Sequence, residues 1–425
     1  MSKSPVFHHP NYALLGGDRI VRNQNAPPLT AAEDEQTLIE LARYIEQKII
    51  VDFNFAAIQI PDGQELSTSV LASPNWTTAT KILLIIQNSY GSQLGIFSRS
   101  ICFDQGISKG TWLPYIERAT AAGYAVLILR PNTNSISKDV IGGTGKPSKI
   151  LIKGSESPEI HVLNVWENII PRAENANHIA LLGYGNGASL CMELYLREMV
   201  NYGSNNRVKA FITIEASSII AKDESEDVKT SLGNISINLE CNSAPMGNRL
   251  AYRKDQLGCT SLSLGLPKGV TEVKNVAASV HLGMETVFKY LVIAESTPRA
   301  QVGKTFCNNI ARDNGLDPLT AVVLTNPNAE QEPTPLPAAV SGSTAVAISN
   351  ATPPPPPQAS PKKGFFSGLF GGGASKGSSK SVDGKASLDD KLTVADFDLL
   401  KIVGKGAFGK VTIPVTYRST ASSHR

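Results

Sequence analysis

The sequence predicts an α/β domain, a mostly parallel sheet with helices on both faces. Three observations carry that prediction. Ile82-Leu-Leu-Ile-Ile86 is a continuous apolar run, as expected of a strand buried on both faces of a parallel sheet. Apolar strands alternate with helical periodicity over roughly 250 residues, the order that crossover helices impose on a parallel sheet. Finally, residues 178–194 read as a short buried strand (179–182), a tight turn at Gly183-Tyr-Gly-Asn-Gly187 and an amphipathic helix running on to residue 200.

Residues 1–29 are polar, with Pro27-Pro28 near their end. Thr30 and Glu33 make a T-x-x-E capping box ahead of a helix whose apolar positions are Leu38, Leu41, Ala42, Ile45 and Ile49. After the strand at 82–86, a helix is expected over 110–122. The next strand, over 125–129, is ended by Arg130-Pro131-Asn132. Residues 141–158, rich in Gly, Ser and Lys, read as a surface loop, and a helix at 161–170 leads to the glycine turn. Strands are expected over 208–214 and 259–264, and a closing helix over 284–293. Sites in such sheets gather at the carboxyl ends of the strands, here 87–92, 130–134, 183–187 and 215–218.

From about residue 330 the composition shifts to Pro, Ala, Ser and Thr, with prolines throughout 353–357 and Gly, Ser and Lys following. Such a stretch cannot bury enough apolar surface to offset its ordering entropy. The expected organisation is a folded domain at 1–299, a disordered linker at 300–390 and a short β-hairpin piece at 391–425. Within the linker, Lys362-Lys-Gly-Phe-Phe-Ser-Gly-Leu-Phe370 sets two bases beside four large apolar side chains. It reads either as a weak dock for an anionic membrane or partner groove, or as a sticky segment without a function.

At 425 residues the chain can build its core without disulfides. A net charge of +3 argues neither for nor against nucleic acid. The five cysteines have no C-x-x-C spacing and fit buried thiols in a reducing compartment. The first residues hold no apolar signal region, and no apolar run approaches the ~20 residues of a membrane span. An intracellular protein, cytoplasmic or nuclear, is expected, with no metal site because His and Cys nowhere cluster at ligand spacing. Two P-loop echoes are set aside. Pro147 stands where the hydroxyl residue belongs after Gly145-Lys146, and Pro298 where the first glycine belongs before Gly303-Lys304-Thr305.

The strand–turn–helix at 178–200 resembles the nucleophile elbow of α/β-hydrolases, G-x-S-x-G, with Gly183 and Gly187 in place and Gly185 where the serine belongs. Further, Gly110-Thr-Trp-Leu-Pro-Tyr-Ile-Glu-Arg-Ala through Gly123-Tyr-Ala-Val-Leu-Ile-Leu-Arg-Pro-Asn-Thr-Asn134 resembles the Argonaute-binding-protein-two domain. That domain is shared with cotranscriptional regulators of the "family with sequence similarity 172" type and with some fungal class II histone deacetylases. Val165-Trp-Glu167 and Val208-Lys-Ala210 extend the likeness. The resemblance implies an α/β-hydrolase-like fold used for binding, with protein partners in silencing or chromatin complexes and no direct contact with nucleic acid. It also locates the departures. Gln87-Asn-Ser-Tyr90 replaces H-G-S-G, Glu215 stands where an Asp follows the next strand, and His281 lies near the place of a catalytic histidine. A hydrolase needs a nucleophile held against a base, with N–H donors waiting for the oxyanion. Of these parts only vestiges are expected: Ser89, Glu215 and His281, with Ser189 a second hydroxyl. The binding rim is read as Ser89, Tyr90, Asn132, Asn134, Tyr184, Asn186 and Glu215.

Finally, Phe397-Asp-Leu-Leu-Lys-Ile-Val-Gly-Lys-Gly-Ala-Phe-Gly-Lys-Val411 resembles the opening of an AGC-type serine/threonine kinase domain. The resemblance makes Val403, Gly404, Lys405, Gly406, Ala407, Phe408, Gly409 and Val411 an ATP-covering loop, its glycines letting backbone close over phosphates. Pro414 is expected to break the second strand, and no V-A-x-K, H-R-D or D-F-G follows. The expectation is the truncated start of a kinase, with ATP and Mg²⁺ belonging only to a complete kinase and no cofactor for this chain. The leading reading is a non-catalytic interaction module tethered to that incomplete kinase. The alternatives are a kinase active only in a full-length product and a cryptic serine hydrolase using Ser89 and His281.

Overall fold

The computed structural model describes residues 5–28, 30–87, 93–138, 148–217, 219–221, 223–253, 257–266, 277–324, 397–406 and 409–417. They belong to two units, Met1–Leu336 and Pro337–Arg425.

The first unit begins with an antiparallel hairpin, β1 (Tyr12–Leu15) and β2 (Arg19–Arg22), and helix α1 (Ala31–Asp52). The capping residue works as the sequence implies: Thr30 Oγ1 accepts from Glu33 N at 3.2 Å, and Leu41, Ile45 and Ile49 are fully buried. Strands β3 (Ala56–Ile60), β4 (Thr68–Ala72) and β5 (Lys81–Ile86) follow, then three helices, α2 (Arg99–Asp104), α3 (Ile107–Gly110) and α4 (Leu113–Ala121). After β6 (Ala125–Ile128) comes a small hairpin of β7 (Ser135–Lys138) and β8 (Ser148–Leu151). Helix α5 (Pro158–Asn164) runs on as a π-turn (Val165–Ile169) into β9 (His178–Tyr184) and α6 (Gly187–Tyr202). Strand β10 (Val208–Ile214), helix α7 (Glu226–Ile235), β11 (Ser236–Glu240), β12 (Arg249–Leu250) and β13 (Thr260–Ser263) lead to helices α8 (Ala278–Ser296) and α9 (Val302–Asp313), and to β14 (Val322–Val323).

Ten strands make one sheet in the order β14-β12-β13-β11-β10-β9-β5-β6-β4-β3. From β6 through β5, β9, β10 and β11 to β13 every pairing is parallel, while β4 and β3 join antiparallel at one edge. This is the strand order of an α/β-hydrolase-like sheet. Its two faces are written in the strands with period two. Leu83, Ile85, Val126, Ile128, Ala180 and Leu182 face a core closed by α1, α4 and α8, and Ile82, Leu84, Ile86, Leu127, Ile179 and Leu181 face one closed by α5 and α6.

Several expectations need correction. The helix expected over 110–122 starts only at Leu113, because Gly110 ends α3 and Thr111 is extended (φ −130°, ψ 164°) and bridged to Ile96. The loop expected over 141–158 holds β8 and the start of α5, while 141–147 lie outside the described residues. The boundary at residue 299 falls too early. Helix α9 buries Phe306, Cys307 and Ile310, the Phe306 ring standing 5.0 Å from that of Tyr290, and β14 pairs Val322 and Val323 with Arg249 and Leu250. Burial of ~1.5–3 kcal/mol per large apolar side chain holds this segment in the domain. Gly303-Lys304-Thr305 belongs to the first turn of α9, with Gly303 packed on the last carbonyls of α7. Residues 325–396, which include the 362–370 stretch, lie outside the described residues.

In the second unit, β15 (Phe397–Gly406) and β16 (Gly409–Tyr417) pair antiparallel, Gly406 opposite Gly409. Pro414 does not end its strand. It sits opposite Leu399, where the register shifts on both sides, so the irregularity absorbs its missing N–H.

Candidate functional site

The elbow between β9 and α6 forms at the carboxyl end of the sheet. Gly185 has φ +55°, the left-handed region that an elbow demands at this position. Its N–H donates to Ile214 O at 2.9 Å and its carbonyl accepts from Ala188 N at 3.1 Å, which locks the turn onto β10 and into the helix. The flanking glycines serve packing. A Cβ on Gly183 would lie 2.8 Å from Ala188 N and Cα, and one on Gly187 would lie 2.1 Å from Ile86 O. The helix therefore starts in contact with β5 and β9, and only hydrogen fits there. Where a nucleophile would project, Gly185 offers none.

The acid of the expected constellation is present and strained. Glu215 follows β10 with φ +54°, one of two described non-glycine residues in that region, the other being Asn54. Its N–H donates to Leu239 O at 2.9 Å. Its carboxylate oxygen Oε1 accepts from Cys241 N at 2.8 Å and from the Ser279 hydroxyl. Burial raises its pKa to about 7, against the two donors, with the neighbouring Glu240 adding to the rise and Arg253 opposing it. Beside it lies a second polar knot. Glu240 Oε1 accepts from Asn238 Nδ2 at 2.6 Å, Ser261 Oγ at 2.8 Å and Arg253 Nε at 2.9 Å, so this carboxylate is tied to the sheet and to the turn after β12.

The base is not brought to the acid. Ser279 and His281 are two residues apart on α8, and successive residues turn by about 100°, so they face nearly opposite sides of the helix. Ser279 meets Glu215. His281 is half-buried toward α3, where burial and then the charge of Lys109 lower its pKa. The vestigial pairing of Glu215 with His281 is thus replaced by Glu215 with Ser279. No periodicity marks Ser279 or Cys241. The one available signal was the position of Ser279 in the helix after the last long strand.

The other expected site residues divide. Ser89 and Tyr90 lie outside the described residues, and Ser189 is exposed in the first turn of α6. Tyr184 is no rim residue. It is 6 % exposed, with its ring 6.4 Å from that of Phe97, and burial pushes its phenol up to about 12. Asn134 is a brace, its Nδ2 donating to Pro131 O at 2.9 Å and Ser155 O at 2.8 Å. The same loop is pinned by His161, which sequence reasoning passed over. Arg130 N donates to His161 Nε2 at 3.2 Å, so Nδ1 carries the proton and donates to Ser155 Oγ at 3.0 Å. Burial, then the Arg130 charge, lowers the pKa of this imidazole to about 3. Asn132 and Asn186 are half-buried in the loops that follow β6 and β9. All five cysteines are free thiols.

Of the kinase-like residues, Val403, Gly404, Lys405 and Gly406 lie on β15 and Gly409 and Val411 on β16, with Gly404 opposite Val411. Ala407 and Phe408 lie outside the described residues. Within 397–417 the single carboxylate is Asp398.

Among the described residues no helix is long and apolar enough to cross a membrane. The frog (Xenopus tropicalis) protein "Cotranscriptional regulator ARB2A homolog" is 22% identical over 203 residues, covering 37% of this chain and 48% of its own length. The Caenorhabditis elegans "FAM172 family protein homolog" is 28% identical over 134 residues, covering 31% of this chain and 39% of its own. The chain spans about half the length of the curated relatives it matches. A solved structure titled "A histone deacetylase from Saccharomyces cerevisiae" superposes on 61% of this chain and 97% of its own, with TM-score 0.39 and 13% identity. A family profile, "Arb2 domain", matches residues 31–245, just over half of the sequence, and the chain belongs to that family.

Proposed function

We propose that the first unit is a protein-binding module, an α/β-hydrolase-like scaffold that works without hydrolase chemistry and acts in gene regulation, in nucleus or cytoplasm. The observation that carries this reading is the elbow itself. Gly185 holds the φ of +55° that the turn needs and brings no nucleophile, while the acid beside it is bound to Ser279 and to Cys241 N. The names of the cotranscriptional relatives support a regulatory role. The partner surface is the strand-end rim around Asn132 and Asn186, with Glu215 largely buried beneath it. Two experiments test the reading. A fluorophosphonate probe and a panel of nitrophenyl esters are expected to give no labelling and no turnover, and stoichiometric labelling of Ser89 or Ser189 would overturn the non-catalytic reading. Quantitative capture from nuclear extract is expected to lose its partners in Asn186→Arg at unchanged melting temperature. Equal capture by both proteins would refute the rim.

A second reading concerns residues 397–417. Two strands closed by Gly406 and Gly409 suit the glycine-rich loop of an AGC-type kinase, in a product that carries the remaining lobes and with them ATP and Mg²⁺. Sequencing the transcript beyond the codon for Val411 tests it, and a reading frame with no V-A-x-K continuation in any product would end it.

A further inference from the structure

At the end of the sheet opposite the elbow, where β9 and β10 begin, a cleft of about 460 Å³ opens against the end of α8. Its lining includes Asn177, His178, Lys209, Glu295, Thr297 and Arg299. Two acids stand at or near it, Glu295 in its lining and Glu198 acting on Lys209, and each is paired with another cation. Glu198 is held by Arg207 through Nε at 2.9 Å, Nη2 at 3.0 Å and the backbone N at 3.0 Å. Glu295 accepts from Lys81 Nζ at 3.1 Å through both oxygens and from Tyr124 OH at 2.7 Å. Lys209 and Arg299 are left as two cations with no ion pair among the described residues, each fixed by neutral acceptors. Lys209 Nζ donates to Asn206 O at 2.9 Å, and Arg299 donates to Val208 O and, at 3.4 Å, to Tyr195 OH. Those bonds use one of three ammonium N–H groups and a minority of the guanidinium donors. Lys209 and Arg299 line the same cleft, and burial, then the charge of Arg299, lowers the pKa of Lys209 while Glu198 opposes the fall. The end of α8 adds about half a negative elementary charge, and the carboxylates of Glu295 and Glu198 are shared with Lys81 and Arg207. His178 adds none, since burial lowers its pKa to about 4 and its Nε2 meets Tyr124 OH at 3.3 Å.

We propose that this cleft binds a phosphate monoester, its dianion held by Lys209 and Arg299, with Asn177 and Thr297 as neutral partners at the mouth. Two fixed cations match two negative charges, and a guanidinium fork with an ammonium beside it suits three terminal oxygens. The group can arrive on a phosphorylated protein side chain or on a small metabolite, and the arms of the test separate these sources. The full chain is titrated calorimetrically with inorganic phosphate, a phosphoserine peptide and adenosine monophosphate, at low and moderate salt. Saturable binding is expected to weaken as salt rises, by about tenfold or more in Lys209→Gln, and to vanish in Lys209→Glu. Lys289→Gln, at an exposed pair with Asp313, is expected to change nothing. The tighter of peptide and nucleotide identifies the source. Should Lys209→Glu not fold, Lys209→Gln and the salt dependence carry the test. The proposal is overturned by no saturable binding of any of the three, or by binding that Lys209→Gln leaves within twofold.

Discussion

Replacing Glu215 with Gln tests the account of the strand-end site most directly, because burial of the carboxyl sets the sign of the effect and bounds its size. The carboxyl is largely buried, receives Cys241 N and the Ser279 hydroxyl on one oxygen, and has its pKa raised from 4.5 to about 7. The folded state therefore binds a proton more tightly than the unfolded chain. Its contribution to stability is fully present below about pH 4.5 and is lost as pH rises through about 7. The full rise is equivalent to roughly 3 kcal/mol at 1.36 kcal/mol per decade, an upper bound once the site relaxes. Glutamine keeps an acceptor for both donors and never ionises. In urea melts the variant is expected to match the wild type near pH 5 and to exceed it by about 2 kcal/mol at pH 8.5. A difference that does not change with pH, or one that favours the wild type at pH 8.5, would refute the assignment of a buried, neutral-prone acid beside the elbow.

The remaining predictions are shorter. Gly187→Ala forces a Cβ to 2.1 Å from Ile86 O and is expected to cost over ~3 kcal/mol or abolish soluble protein. In contrast, Gly233→Ala in α7, with its nearest contact at 3.6 Å, should stabilise by about 0.5–1 kcal/mol, and thermal melts compare the two. Gly185→Ser is expected to lower stability by about 1–2 kcal/mol through its positive φ and to give no ester turnover, since Glu215 is bonded to Ser279 and not to an imidazole. Phe306→Ala should cost about 3–5 kcal/mol by chemical denaturation, whereas a surface linker at that position predicts no loss. His161 and His178, held neutral with pKa values near 3 and 4, contribute stability above about pH 6.5 that falls away as pH drops through those values. His161→Gln should flatten the acid limb of the stability–pH curve.

What was legible in the sequence was whatever a local period or turn chemistry controls. Ile82 to Ile86, the 208–214 strand and the cap at Thr30 needed no tertiary information, and each stands where the residues placed it. The edge of the domain was not legible. Helix α9 has ordinary composition, follows Pro298 and precedes a proline-rich stretch, so nothing local separates a packed amphipathic helix from the start of a linker; Tyr290 on α8 decides it. The site divides the same way. Gly183, Gly185 and Gly187 are readable because a tight turn restricts residue type over five positions. The Glu215–Ser279 contact spans 64 positions and depends on which face of α8 meets the sheet, which the apolar pattern of that helix leaves open because it is buried on several sides.

An elbow with no serine follows from the same contacts. Gly183 and Gly187 are required by the approach of α6 to Ala188 N and Ile86 O, and that approach holds whatever stands at position 185. Position 185 needs only a left-handed backbone, which glycine adopts without strain and serine does not. A glycine at 185 therefore leaves the turn unstrained and its packing unchanged, so helix-on-sheet packing alone accounts for the G-x-G-x-G spacing. The spacing is then evidence of how a helix meets a sheet. Evidence of chemistry has to come from side chains converging on that point, and here the acid converges on Ser279 while the nearest candidate base faces α3.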